Sequence, residues 1–439
     1  MNNRRLHIGL CFIVLMGYGG YAAGRESNVI TIENLFELAE TNSKQLRPYF
    51  TAEQESLKEI EVARSNRLPD INTSLSLSFI GDGFTTKRNF ADYQRAPIPH
   101  FGNGLSINIS QPIYSGGAIT TGIELADLKS AASRFSTELQ RDNIRLRVAG
   151  AYLDIYKFYN LKAVVTRNLD NARTVLGQMK DRVDQGVALQ NDITRYELLV
   201  SNLELQIVKI DNMINILNNN LVKTVGLPDG TIIEPDSAIL AKSLPNKSES
   251  VWQNDALESS PVLKLASSGV DMSRKTESLV KSERLPKIGV QAGWTLDGPI
   301  LVEVPPINRN LSYWYIGVGV SYNLASLYKN NHSLTKSRIA TRRAVDSYEA
   351  AKEDISLGIN ADYIKYLEAY EELKTQEKSV ELANRNYNIT STRFSADMAL
   401  LTDMIDAANS KLDAERQLVN ARINIIYYYY KLLFTSGKI

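Results

Sequence analysis

Side chains that could do chemistry are few in this sequence, and they are not grouped as enzymes group them. Beyond residue 24 the histidines are His100 and His332, and the chain's single cysteine is Cys11. The motifs HExxH, GxSxG, CxxC and the phosphate-binding loop are all absent from the sequence. Asp403 and Asp406 lie three residues apart, so on a helix they project from one side. With no base or nucleophile beside them, the sequence predicts no enzyme, no metal site and no cofactor, and these carboxylates are interpreted as solvated helix residues.

Charge is nearly balanced along the chain. The 439 residues include 50 Lys and Arg against 49 Asp and Glu, for a formal net charge of +1. No long run of one sign marks a basic or acidic tail. The composition therefore gives no indication of a nucleic-acid partner.

The first 24 residues have the pattern of a secretory signal peptide. Arg4 and Arg5 precede an apolar run at 8–16, and small residues follow it. Cys11 lies inside the apolar run rather than at its end, so no lipid-anchored cysteine is predicted. No later stretch approaches 18 consecutive apolar residues, which is the length that predicts a transmembrane helix. The sequence predicts an exported protein whose membrane role, if any, does not use a helix.

The sequence contains an internal repeat. The segment ARSNRLPDI at 63–71 returns as VKSERLPKI at 280–288, an offset of 217 residues, and further on the offset becomes 211. At that second offset Arg182 pairs with Arg393 and Asp192 with Asp403. We therefore predict a first structural repeat at 25–226, an irregular connector at 227–258 and a second repeat at 259–439.

Each copy changes its hydrophobic period after the LP dipeptide. Strict alternation of apolar with small or polar residues predicts two strands in the first copy, at about 70–80 and 105–114. The second copy repeats this pattern at about 287–297 and 312–324. A soluble sheet with one buried face has the same alternation. Two features favour transmembrane strands: the polar face lacks Lys and Glu, and aromatic residues lie at the strand ends (Phe79, Tyr114, Trp314, Tyr315, Tyr322).

The rest of each copy predicts a long helical hairpin. Residues 118–183 contain no proline and place apolar residues at alternating steps of three and four, the pattern of a coiled coil. Gly186 supplies a residue that adopts the left-handed conformation of a tight turn. Asp397 stands at the matching place of the second copy, and Asp tolerates that conformation. Each copy is thus predicted to contain a helix, two strands and a long helical hairpin with its tip near 186 or 397.

Four membrane strands cannot close on themselves. An unpaired strand edge in hydrocarbon costs several kcal/mol for each exposed backbone group, and single-chain barrels begin at about eight strands. If these strands lie in a membrane, copies of the chain must share one barrel. The residues leave the number of copies open.

The whole mature chain resembles the TolC family of outer-membrane efflux proteins. The resemblance rests on ITIENLFELAETNSKQL near the mature start, RLPDI before a strand, QPIYSGG after one, AYLDIYKFYNL on the long helix, DRVDQGVALQNDI at the first tip and RFSADMALLTDMIDA at the second. It implies a mainly α fold with a transmembrane β-barrel: a homotrimer whose twelve strands, four per chain, continue into a periplasmic coiled-coil tunnel. It also implies a location in the outer membrane of a Gram-negative bacterium.

The resemblance further implies a passive exit duct of a tripartite efflux or type I secretion system. Its partners would be a periplasmic adaptor (membrane fusion) protein, an inner-membrane transporter of the resistance-nodulation-division (RND) or ABC type, and outer-membrane lipid. The transported substrate and the pump class are left open.

The resemblance also assigns site residues by motif position. Asp192, Asp403 and Asp406 are predicted to form rings that narrow the channel aperture, and their negative field would attract cations. Some family members carry a basic residue, part of the gate lock, where this chain has Ala399. The predicted adaptor-docking tips comprise Arg182, Gly186, Arg393 and Asp397.

A second hypothesis of another class stands beside the duct. The chain would be a soluble periplasmic coiled-coil scaffold, with the alternating segments packed as an ordinary sheet on protein. The duct should fractionate with outer membranes, and the scaffold should be released by osmotic shock.

Overall fold

The computed structural model describes residues 28–186, 189–241, 244–245, 247–303 and 305–439. The predicted signal peptide and Cys11 lie outside these ranges. The first part of the chain contains β1 (Asn28–Ile30), α1 (Ile32–Asn42), α2 (Arg47–Ser65), β2 (Asp70–Phe79), β3 (Gly83–Thr85), β4 (Gln94–Ala96), β5 (Phe101–Tyr114), α3 (Ala118–Asp184) and α4 (Gln190–Val225). The second part contains β6 (Ile233–Pro235), a 3₁₀ helix (Ser237–Ala241), α5 (Glu249–Ser259), α6 (Pro261–Ser282), β7 (Lys287–Gly298), β8 (Leu311–Ser321), α7 (Ser326–Ser395) and α8 (Leu401–Thr435).

The connector is shorter than the sequence predicts. Helix α5 begins at Glu249, inside the segment 227–258 that was expected to be irregular. Its bounds equal those of α1 shifted by 217 residues, and Ser248 takes the N-cap position that Thr31 holds in the first copy. The segment ESVWQNDALES carries only two residues on its buried side, Trp252 and Ala256, so it shows little helical periodicity. The second structural copy therefore starts near residue 248 rather than 259.

The long strands form one antiparallel sheet in the order β2-β5-β7-β8. The register aligns Leu75 with Leu105 and Leu105 with Leu296, so the apolar residues of neighbouring strands share one face. That face is open to solvent in the single chain, with Leu75 71% and Val318 73% exposed. The free edges of the sheet are β2 and β8. The strands number 10 to 14 residues, the length that crosses a bilayer when tilted.

One of the aromatic residues predicted at the strand ends, Tyr315, lies on the polar face of the sheet. Tyr315 pairs with Gly293, which pairs with Asn108, so Tyr315 belongs to the row of polar and small residues. Its neighbour Trp314 pairs with Trp294 and lies on the apolar face. Adjacent residues of a strand point to opposite faces, so a position at a strand end does not determine the face on which a side chain lies.

The helices extend far from the sheet. Helix α3 has 67 residues and α7 has 70, so each is about 100 Å long. Within the described ranges, no helix combines the length and apolar character needed to cross a membrane.

Three buried clusters hold the helices together. The first joins α1 to the middle of α3 and the ends of α4 and α8, and the Tyr152 hydroxyl fixes it to the connector. That hydroxyl donates to the Ile30 carbonyl at 2.9 Å and accepts from the Asp236 amide at 2.7 Å. The second joins α3, α4 and α8 towards the tips, and the third packs Trp252 of α5 against α7 and α8. The core is thus a chain of helix–helix contacts along the length of the molecule.

Candidate functional site: the helical tips

Both helical hairpins turn through a residue in the left-handed conformation. Gly186 has φ +76° after α3, and Asp397 has φ +60° after α7, as the sequence predicts for these two positions. The amide of Met398 donates to the Arg393 carbonyl at 2.8 Å, which closes the second turn. The next helices, α4 and α8, begin at Gln190 and Leu401.

Arg182 connects one tip to the other. Its guanidinium forms an ion pair with the Asp397 carboxylate and donates to the Phe394 carbonyl at 3.1 Å. The same group lies 5.5 Å from the centre of the Phe394 ring. The Arg182 side chain is only 21% exposed, whereas Asp397 is 71% exposed. The structure thus brings together two predicted tip residues that belong to different copies of the repeat.

The three predicted aperture carboxylates lie in the first two turns of α4 and α8. Asp403 is exposed, and its carboxylate accepts the Leu400 amide hydrogen at 3.1 Å, so it also caps the start of α8. Asp406 is exposed one turn further along the same helix, and Asp192 is half-buried at the start of α4. Arg393, the fourth predicted tip residue, is exposed in the last turn of α7.

The tips also expose apolar side chains that the motifs of the sequence do not indicate. Leu189 and Leu400 occupy the N-cap positions of α4 and α8 and are 70% and 69% exposed, and Met398, two residues before Leu400, is 63% exposed. Leu189 and Leu400 are related by the 211-residue offset, and this equivalence is the signal that could have identified them. Exposed apolar residues at both tips are typical of a contact surface.

The described residues contain no cluster of His, Cys, Asp and Glu suited to holding a metal ion. The arrangement at the tips instead combines fixed charge, exposed apolar residues and a link between two hairpins. Such a site can attract ions and contact another protein.

Comparison with known proteins gives a consistent result. The family described as outer membrane efflux protein matches residues 35–227 and 252–427. The outer membrane protein TolC of Vibrio cholerae is 22% identical over 416 residues, which cover 92% of this chain and 91% of that protein. The outer membrane efflux protein BepC of Brucella suis is 20% identical over 383 residues, covering 85% and 80%. The crystal structure of VceC from V. cholerae superposes with a TM-score of 0.77 at 16% identity, covering 92% of this chain and 96% of that one, which shows a shared fold.

Proposed function

The chain belongs to the outer membrane efflux protein family, and from that premise we propose that three copies assemble with a periplasmic adaptor and an inner-membrane pump. Its fold is that of the TolC-like channels, mainly helical with a transmembrane β-barrel. It is an exit duct located in the outer membrane, and the soluble scaffold hypothesis is wrong because the chain matches efflux channels over most of its length. Members of this family are transport ducts rather than enzymes.

The observation that carries the assembly is the open sheet. Its apolar face is exposed and its edge strands β2 and β8 are unpaired in the single chain. In lipid those edges need partners, and identical copies supply them when β8 of one chain meets β2 of the next. Three copies give twelve strands, and each repeat contributes one pair of barrel strands and one helical hairpin of the tunnel. The assignment of an adaptor and of a pump, of the RND or the ABC type, is supported by the family and not by the geometry of the sheet.

For the aperture we propose rings of Asp192, Asp403 and Asp406 at the tip end of the tunnel. Their positions in the first two turns of α4 and α8 support this, as does the exposure of Asp403 and Asp406. Repeated in each copy, the carboxylates would concentrate negative charge at the narrowest point and attract cations.

Single-channel recording in planar bilayers tests the aperture. We expect Asp406→Ala to lower the preference for K⁺ over Cl⁻, measured as a shift of the reversal potential in a KCl gradient. Asp403→Ala should do the same and also loosen the start of α8, because it removes a helix cap. Asp170→Ala is the matched control, since Asp170 is exposed on α3 but about 20 Å from the tip. Unchanged selectivity in both Asp403→Ala and Asp406→Ala would show that the aperture lies elsewhere.

For adaptor docking we propose the outer surface of the tips, formed by Gly186, Arg393, Leu189, Met398 and Leu400, with Arg182 and Asp397 holding it in shape. Its support is the exposed apolar character next to an exposed cation. A cysteine introduced at Ala399 should crosslink to a cysteine-bearing cognate adaptor, whereas one at Asp127 near the other end of α3 should not. Absence of an adduct at Ala399 would remove this surface from consideration.

A further inference from the structure

We propose that Arg47 on α2 of one chain forms an ion pair with Asp346 on α7 of the next copy, and that this pair sets the register of the helices across the subunit boundary. This inference rests on the proposed function, because it assumes that copies of the chain form a ring. The partner is a second copy of this chain, and the site is incomplete without it.

The helices next to the sheet lie side by side in the order α2, α3, α6 and α7. Helix α2 leads into β2 and α7 follows β8, so the two outer helices accompany the two free edges of the sheet. Helix α3 packs against α2 and α6, and α6 packs against α3 and α7. The outer helices α2 and α7 therefore each have one side left over for a neighbour.

The internal repeat identifies the uncovered side of α2. On α6, Lys275 donates to the Glu124 carboxylate of α3 at 2.8 Å, and Ser268, two turns earlier on the same side, is buried. The matching residues of α2, at an offset of 217, are Lys58 and Thr51, and both are exposed. Helix α2 thus lacks the neighbour that covers α6 on this side.

Helix α7 is uncovered on the corresponding side. Leu128 and Phe135 of α3 are half-buried, whereas the residues 211 positions later, Ile339 and Asp346, are exposed. The repeat relates the contact of α6 with α3 inside one chain to a contact of α2 with α7 between chains. A second copy is therefore the partner that fits both uncovered sides.

The same comparison places Arg47 opposite Asp346. The ion pair between α6 and α3 corresponds to Lys58 and Thr335, so these two residues lie at one level across the boundary. Arg47 lies eleven residues before Lys58, and Asp346 lies eleven residues after Thr335. The two helices run in opposite directions, and eleven residues make about three turns. Arg47 and Asp346 therefore share a level and each lies on the side that meets the other helix.

The charges at this level are complementary. Glu349 lies three residues beyond Asp346 on the same side of α7, so two carboxylates face one guanidinium. Among the described residues of their own chain, the side chains of Arg47, Asp346 and Glu349 have no ion-pair or hydrogen-bond partner. Within one chain Phe135 stands at the place of Asp346, so this carboxylate is particular to the boundary between copies. Complementary charge of this kind fixes register and selects the partner.

Crosslinking tests whether the two helices meet. Thr51 and Arg342 lie seven residues from Lys58 and Thr335, so they share a level and leave the proposed ion pair intact. A short bismaleimide should join Thr51→Cys with Arg342→Cys into species of two and three chains, because α3 and α6 separate the positions within one chain. Thr51→Cys with Lys374→Cys is the control and should remain at one chain, since Lys374 is exposed on α7 about 50 Å from Arg342.

Charge reversal tests the ion pair in the full-length protein. Arg47→Glu and Asp346→Arg should each lower the fraction of trimer, measured by light scattering in detergent at low salt. The double variant should return this fraction to near the wild-type value, because it reverses the pair without losing it. Raising the KCl concentration should reduce the deficit of each single variant, since salt screens the repulsion. Lys129→Glu is the control, because Lys129 is exposed on α3, whose neighbours here belong to the same chain.

The outcomes separate this pair from the proposed function. A wild-type protein of single-chain mass would contradict the three-copy assembly itself. A trimeric wild type that gives no crosslinked chains at positions 51 and 342 would overturn the contact of α2 with α7. Single reversals at the wild-type trimer fraction, a double variant as defective as the two singles together, or an equal deficit in Lys129→Glu would each overturn the ion pair and leave the duct intact.

Discussion

Asp142 is a carboxylate buried in the packing of α3, about a third of the way along the helix. Burial raises its pKa to about 6, because the charged form loses its contact with water; Arg145 and Arg141 act in the opposite direction. Glu138 and Glu40 add to the increase by repulsion. Arg145 is itself engaged, since it forms an ion pair with Glu40 and donates to the Ile439 carbonyl at 2.5 Å. The folded protein thus retains at neutral pH a charge that its surroundings disfavour.

This residue predicts a pH dependence of stability. The pKa of Asp142 in the folded chain lies above the ordinary value of about 4, so protonation favours folding. Its contribution is full below about pH 4 and is lost as the pH rises through about 6. Asp142→Asn should therefore raise the thermal midpoint in detergent at pH 8 and change it much less at pH 4. Asp127→Asn, at an exposed position of the same helix, is the control and should change the midpoint little at either pH. A variant that is equally stabilised or destabilised at both pH values would contradict the assignment.

At one position in the β7–β8 pair, a glycine of β7 leaves room for a tyrosine ring of β8. A Cβ placed on Gly293 would lie 2.6 Å from Cε1 of Tyr315, too close for any real contact, so the tyrosine ring covers the bare backbone of β7. Gly317 belongs to β8 on the same polar face, and a Cβ there would meet open space. The two glycines are alike in the alternating pattern of the sequence and differ in what they permit.

Alanine substitutions distinguish these two glycines. Gly293→Ala should cost about 1–3 kcal/mol, because the Tyr315 ring must leave its place. Gly317→Ala should be neutral or slightly stabilising, since it adds no clash and restricts the unfolded chain. Thermal unfolding of the barrel in detergent measures both effects. Against a Tyr315→Ser background the cost of Gly293→Ala should disappear, and a cost that persists there would mean that Tyr315 is not its cause.

At the scale of elements, the sequence predicts what local pattern determines. Period-two alternation predicts the four membrane strands, a proline-free stripe of apolar residues predicts α3, and the repeat at an offset of 211 residues predicts α7 as its counterpart. Helix α5 was missed because its buried side comprises only Trp252 and Ala256, which is too few to set a period. The short hairpin of β3 and β4 lies in a loop whose residues alternate too briefly to be detected.

The candidate site also contains some features that the local sequence predicts and others that depend on tertiary packing. The left-handed turns at Gly186 and Asp397 follow from residue type and spacing, so the sequence predicts them. The pairing of Arg182 with Asp397 cannot be predicted from residue type and spacing. The two residues lie in different copies of the repeat and meet only through the packing of α3 against α8. The roles of Asp192, Asp403 and Asp406 remain a prediction from the family's motifs.

In the assembled molecule, the two faces of the sheet differ in how well they tolerate a charged side chain. Leu75 lies on the exposed apolar face in the middle of β2, and its neighbour Ser74 lies on the other face, where its hydroxyl is 2.8 Å from that of Ser106. In a closed barrel of three chains the first face meets lipid and the second meets the wet lumen. A charged side chain therefore destabilises the barrel on the face that meets lipid and not on the face that meets the lumen.

The pair therefore tests lipid contact and assembly together. Leu75→Arg should cost about 2–4 kcal/mol for each chain near the middle of the bilayer, and three chains incur the cost at once. We expect this variant to be depleted from the outer membrane, whereas Ser74→Arg should extract with detergent at the wild-type yield. Light scattering of the wild type and of Ser74→Arg should give the mass of three mature chains after correction for detergent. Equal yields of the two arginine variants would contradict the assignment of the faces, and a single-chain mass would contradict the closure of the barrel by three copies.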